Sequence, residues 1–165
     1  MQSTVTKTST QEHHLVHFCV NGRAYAIDIR RIQEIIYYRE VTPVPQAASF
    51  ILGIIDLRGQ IIPVVSLKER LGLHTERPDP ASPVAQGASH ILINRIGART
   101  VGLLVNEVQE VIRLGAGSIH PPDPLLSSQD CKYLEGICHF NGKLILVLDL
   151  DRLLSVQELE SLGQI

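Results

Sequence analysis

Apolar positions in this chain come as short runs of Ile, Val and Leu, broken at intervals by glycine, asparagine and proline. The first runs, LVHFCV (15–20) and RAYAID (23–28), flank Asn21-Gly22, a pair that accepts the positive φ angles of a tight hairpin. Asp28 is placed to cap a helical turn over IRRI, after which IQEIIYYREV (32–41) stays extended until Pro43 and Pro45 stop it. FILGIIDL (50–57) and QIIPVVSL (60–67) form a second hairpin around Arg58-Gly59, and Pro63 predicts that its strand lies at an edge or a bulge. A helical turn follows at KERLG. HILINRI (90–96) and RTVGLLVNEVQEVI (99–112) read as strands around a turn at Gly97, and YLEGICHF (133–140) and KLILVLDL (143–150) as a hairpin around Asn141-Gly142. Ser155 and Glu158 have capping-box spacing and predict a terminal helix through about Leu162.

Three segments lack such runs. Residues 1–13 read as a disordered polar tail, TERPDPASPVAQGAS (75–89) as a linker dividing the chain near its middle, and HPPDPLLSSQD (120–130) as a proline-rich loop. The organisation predicted is a first barrel over about 15–74 and a second over about 90–154, with strands exchanged between them as an open possibility, then a helix over 155–165.

The two halves repeat. Shifted by 83 positions, GIIDLRGQIIPVVSLKERL (53–71) lies over GICHFNGKLILVLDLDRLL (136–154), matching Gly53 with Gly136, Gly59 with Gly142, Ile62 with Ile145 and Val64 with Val147. Shifted by 76, RAYAIDIRRIQEII (23–36) lies over RTVGLLVNEVQEVI (99–112), matching Gln33 with Gln109 and Glu34 with Glu110. Runs of Ile, Val and Leu match easily by chance, but coinciding turn glycines argue for a duplicated unit. Related units side by side leave a groove suited to an elongated partner.

Composition narrows the function. The hydrophobic fraction of 44% includes only 4% aromatic residues and no Trp, which suits strands filled with branched aliphatics. A net charge of −2 gives no electrostatic footprint for nucleic acid. The three cysteines, Cys19, Cys131 and Cys138, lack metal or redox spacing and point to a reducing, cytoplasmic setting. No signal core or bilayer-length apolar run is present, so direct membrane insertion is not expected. Adjacent His139 and Cys138 would face opposite sides of a strand, and no P-loop, dinucleotide fingerprint or nucleophile elbow occurs. No catalytic residue, metal or cofactor is expected.

At IQEI (32–35), GIIDLRGQIIPVVSL (53–67), VGLLVNEVQEVI (101–112) and YLEGICHFNGKLILVLDLDRLL (133–154) the chain resembles the CheW family. The resemblance covers about residues 15–155. It implies a mainly β fold of two SH3-like five-stranded β-barrels related by a pseudo-two-fold axis, with short helices and a C-terminal helix. It also implies a non-enzymatic adaptor of chemotaxis-type signalling, binding a chemoreceptor cytoplasmic tip and the regulatory domain of a CheA-type histidine kinase. Such an adaptor would be a monomer when isolated and would be recruited from the cytoplasm to receptor arrays. The matching receptor-binding positions are Ile32, Glu34, Arg58 and Val108, with Gly53, Gly59, Gly136 and Gly142 as structural turn residues. Ser66 departs from the aspartate frequent in the family before the first short helix, while Asp149 keeps it in the second half. The remaining readings are a related scaffold in a non-motility pathway, a small-ligand-binding or enzymatic barrel, and a fragment of a larger kinase.

Overall fold

A computed structural model describes residues 12–73, 89–122 and 132–162. The tail before residue 12, nearly all of the 75–89 linker and most of the 120–130 loop lie outside the described residues. The strands described are His13–Val20 (β1), Arg23–Asp28 (β2), Ile32–Tyr37 (β3), Ile51–Leu57 (β4), Gln60–Ser66 (β5), His90–Ile96 (β6), Arg99–Val105 (β7), Glu107–Leu114 (β8), Leu134–Phe140 (β9) and Lys143–Leu148 (β10). A 3-10 turn at Ile29–Arg31 joins β2 to β3, and among the described residues three short helices span Leu67–Arg70 (α1), Leu150–Leu153 (α2) and Val156–Leu162 (α3).

The strands form two five-stranded sheets, ordered β8-β1-β2-β10-β9 (sheet A) and β3-β6-β7-β5-β4 (sheet B). Adding five to each strand number of sheet A, and wrapping past ten, gives the order of sheet B. Each sheet therefore takes strands from both halves of the chain. The polypeptide crosses from A to B through the 3-10 turn after β2, and back through Asn106 between β7 and β8. The equivalent pairs β2–β10 and β7–β5 are parallel and the other ladders antiparallel. Each sheet curls into an SH3-like barrel, the two related by a pseudo-two-fold axis. Matching bridges, Thr42 to Ile54 and His120 to Ile137, close the curl.

Irregularities repeat as well. Register shifts place an extra residue at Gln33 in β3 and at Gln109–Glu110 in β8, and again between Ile51 and Gly53 in β4 and beside Gly136 in β9. A bulge recurring at the same place in both units is a built feature that re-aims the strand. Gly53 and Gly136 sit at these bulges, inside strands, and so are not turn glycines. Their role is close approach: a Cβ on Gly53 would stand 2.0 Å from the Thr42 carbonyl oxygen, and one on Gly136 2.6 Å from that of His120. Gly59 and Gly142 lie in hairpin turns, at φ 85° and 75°, with open space around them. Pro63 is on an interior strand, not an edge. The parallel ladder from β5 to β7 starts at Val64, so the position without an N–H precedes it.

Alternation along the strands sorts the core into three layers. Leu15, Ala26, Ile112, Cys138, Ile145 and Val147 fill the sheet A barrel, and Ile55, Ile62, Val64, Ile91 and Ile93 fill that of sheet B. Between the barrels lies a larger shared cluster that includes Phe18, Tyr25 and Ile27 from one and Val65, Val101 and Leu103 from the other. The side chains shared across that layer tie the two barrels into one body.

Candidate interaction site

Arg58 occupies the first position of the β4–β5 turn at φ 52°. The same place in the β1–β2 and β9–β10 hairpins is held by Asn21 at 53° and Asn141 at 51°. Asparagine tolerates this left-handed region, whereas a longer L side chain is strained in it by about 1 kcal/mol or more. The hairpin would close more easily with asparagine, so the arginine is held there at a cost in backbone strain.

That side chain reaches across the seam of the sheet B barrel, from the β4–β5 turn at one edge to β3 at the other. Arg58 donates to both carboxylate oxygens of Glu34, through Nη1 at 2.9 Å and through Nη2. The guanidinium is 70% exposed and the carboxylate 31% exposed. Hydrogen bonding and charge from Arg58 hold Glu34 below the ordinary carboxylate range and raise the guanidinium in turn. The pair is thus fully ionised across the biological pH range. It is a planar, oriented fork at the surface, suited to carboxylate recognition.

Ile32 and Val108 take equivalent places on opposite barrels. Ile32, on β3, lies opposite Asn94, and Val108, on β8, lies opposite Phe18; both are half-buried against the shared central cluster. Phe18 and Asn94 are themselves equivalent under the 76-residue shift, and both are fully buried. The two units thus present like apolar residues backed by unlike ones. Of the four sequence-derived positions, the structure joins Glu34 to Arg58 directly and sets Ile32 and Val108 on the border of one cluster.

The inter-barrel boundary also holds charged groups that the motifs did not reveal. Arg31, in the 3-10 turn, donates to Asp151 of α2 at 2.7 Å and to the Arg95 carbonyl of β6 at 3.2 Å. Hydrogen bonding from Arg31 depresses the Asp151 carboxyl. Arg31 and Asp151 border an open cleft of about 450 Å³, also lined by Asp28, Arg30 and Glu135. Arg30 pairs locally with Asp28, which caps the 3-10 turn as the sequence implies. Only the crossover topology brings Arg31 near Asp151, which is why spacing could not find the pair. Ser66 and Asp149 both cap, accepting from Glu69 N at 3.3 Å and Asp151 N at 2.9 Å, so the serine departure leaves the cap in place. Among the described residues no cluster of three His, Cys, Asp or Glu side chains forms a metal site, and no helix is long and apolar enough to cross a membrane.

Comparison with known proteins agrees with this geometry. A family model described as the CheW-like domain matches residues 14–158. A protein named chemotaxis protein CheW from Thermotoga maritima is 31% identical over 144 residues, 87% of this chain and 89% of that protein. One of the same name from Rhizobium meliloti is 28% identical over 148 residues, 89% of this chain and 90% of its own length. The crystal structure of the scaffolding protein TtCheW from Thermoanaerobacter tengcongensis superposes with a TM-score of 0.76 at 32% identity, covering 90% of this chain and 96% of that one. Family model, curated relatives and solved structure coincide over nearly the whole chain, which belongs to the CheW-like domain family of chemotaxis scaffold proteins.

Proposed function

We propose that this protein couples the cytoplasmic tip of a chemoreceptor to a CheA-type histidine kinase, through non-covalent contacts alone. The observation that carries the reading is the Arg58–Glu34 fork, held in a strained turn on the surface of a chain of this family. A receptor coiled-coil tip offers apolar knobs and exposed carboxylates. Half-buried Ile32 and Val108 supply apolar surface for the knobs, and the exposed guanidinium of Arg58 can share itself between Glu34 and an incoming carboxylate. Glu34 orients the fork before the partner arrives, which lowers the entropy lost on binding. The protein acts from the cytoplasmic side and reaches the membrane through the receptor.

Co-sedimentation of the purified chain with a chemoreceptor cytoplasmic fragment and CheA from the same genome tests this. Receptor-dependent kinase autophosphorylation that needs this protein, and is lost in Arg58→Ala, is the expected result. A chain that associates with neither receptor nor kinase would overturn the proposal.

A further inference from the structure

Arg70, at the end of α1, has a side chain only 14% exposed and meets four residues from four parts of the fold. Its guanidinium carbon lies 4.6 Å from the ring centre of Phe50 and 5.1 Å from that of Tyr133. Its Nε donates to the Leu153 carbonyl at 2.7 Å, and Nη2 to Glu158 Oε1 at 2.8 Å. The Glu158 carboxylate also accepts from Ser155 N at 2.8 Å, while Ser155 Oγ accepts from Glu158 N at 3.1 Å, closing the capping box that starts α3. Beyond it, Leu159 packs on the shared central cluster.

Under the 83-residue shift Phe50 is the counterpart of Tyr133, and Arg70 the counterpart of Leu153. Phe50 and Tyr133 also do the same backbone work, their carbonyls accepting from Ser66 N and Asp149 N at 2.7 and 2.8 Å. Two counterparts can flank one group, and two others touch, only where the pseudo-two-fold axis passes. Arg70 therefore sits at that axis, with an aromatic ring from each barrel beside it. One unit supplies the cation and the other a backbone acceptor, so this contact is directional although it lies on the axis that relates the two units.

We propose that Arg70 is an inter-barrel positioning residue: stacked between Phe50 and Tyr133 and paired with Glu158, it fixes the angle between the barrels and docks α3 across their junction. Cation–π contact is strengthened when water is excluded, as at this depth. The separate cores of the two barrels contain none of these residues, and the shared cluster still joins the barrels without Arg70, so its loss loosens their relative orientation without separating them while each barrel stays packed. Ile32 and Val108 lie on different barrels, so the angle sets their separation. The functional consequence rests on the coupling reading above; the positioning role does not.

The test uses the full chain with spin labels on non-natural side chains at Gln60 and Lys143, exposed equivalent positions of the two hairpins. A control pair at Arg113 and Lys143 lies within sheet A. Arg70→Met is expected to broaden and shift the inter-barrel distance distribution and leave the control pair unchanged. Arg70→Lys, which keeps a cation against the rings, should partly restore it, and Glu158→Gln should loosen α3 with a smaller broadening. An unaltered inter-barrel distribution in Arg70→Met overturns the proposal, and so does equal broadening of the control pair. If Arg70→Met does not fold, native-like distributions in both other variants overturn it. Receptor-dependent kinase activation, measured alongside, should fall in the order of the broadening. If the unsubstituted protein itself fails to couple receptor and kinase, the coupling reading falls while the distances still judge the latch.

Discussion

Replacing Arg58 with asparagine separates the demands of folding from those of binding. The β4–β5 turn holds Arg58 at φ 52°, the conformation that Asn21 and Asn141 adopt in the sister hairpins. Relieving an L residue of that conformation recovers about 1 kcal/mol, somewhat less than the full penalty because asparagine also has a side chain. The ion pair with Glu34 is lost, but it is exposed and screened by solvent, so its removal subtracts little from stability. For a domain of this size, 1 kcal/mol corresponds to about 2–4 °C in the unfolding midpoint. Arg58→Asn should therefore unfold at the same temperature as the native protein or slightly above it, by calorimetry, and yet lose receptor co-sedimentation and kinase activation. A midpoint lowered by several degrees would show that the guanidinium is needed for the barrel seam. Full coupling in the variant would show that the strained turn is not kept for recognition.

Gly53→Ala forces a Cβ into the Thr42 carbonyl, whereas Gly59→Ala meets open space and only backbone strain, so urea denaturation should find the first more destabilising, at about 3 kcal/mol against about 1 kcal/mol. His17 is 6% exposed with both ring nitrogens unpartnered among the described residues, and its counterpart in the repeat is the buried Ile93; His17→Ile should stabilise by about 1–2 kcal/mol at pH 7.5 in the same assay. Burial lowers the His17 pKa against the pull of Glu110, with Lys143 adding to the lowering, so the unfolded chain takes up its proton first. Stability should be full above about pH 6.5 and fall as the pH drops from there toward the folded value, a limb that His17→Ile removes. Ile62→Ala, in the sheet B barrel, should cost about 2–5 kcal/mol, while Ile61→Ala next to it, 53% exposed, should change stability by less than about 0.5 kcal/mol.

Local chemistry made the hairpins legible. Asn-Gly pairs, capping residues and alternation are properties of neighbouring residues, and each marks its own element. The repeat was legible because counterparts must fill counterpart space: Ile62 and Ile145, or Val64 and Val147, occupy the interiors of different barrels. Pairing between distant segments was not. RTVGLLVNEVQEVI reads as continuous, yet it divides at Asn106 into β7 of one sheet and β8 of the other, and neither side of the break differs in apolar content. Gly53 looked like a turn residue because glycine spacing carries no record of which chain passes over it. At the site, resemblance supplied Ile32, Glu34, Arg58 and Val108, but the strain at Arg58 and its bond to Glu34 needed backbone angles and a closed barrel.

Duplication alone would give two barrels with interchangeable faces, and the coupling proposed above, which joins unlike partners, needs faces that differ. Several divergences lie where the units meet, and one lies in a hairpin turn. Arg70 answers Leu153 on the axis, Phe18 answers Asn94 behind Val108 and Ile32, and Arg58 answers Asn141 in the turns. Barrel interiors keep several matched aliphatic pairs, Ile62 with Ile145 and Val64 with Val147 among them, because a change of volume there is felt by the whole packing. Packing therefore accounts for the matched pairs in the cores, and the coupling reading proposed above accounts for the departure at Arg58. It follows that reciprocal exchange of Arg58 and Asn141 should abolish receptor co-sedimentation with the fold unchanged, as read by the unfolding midpoint.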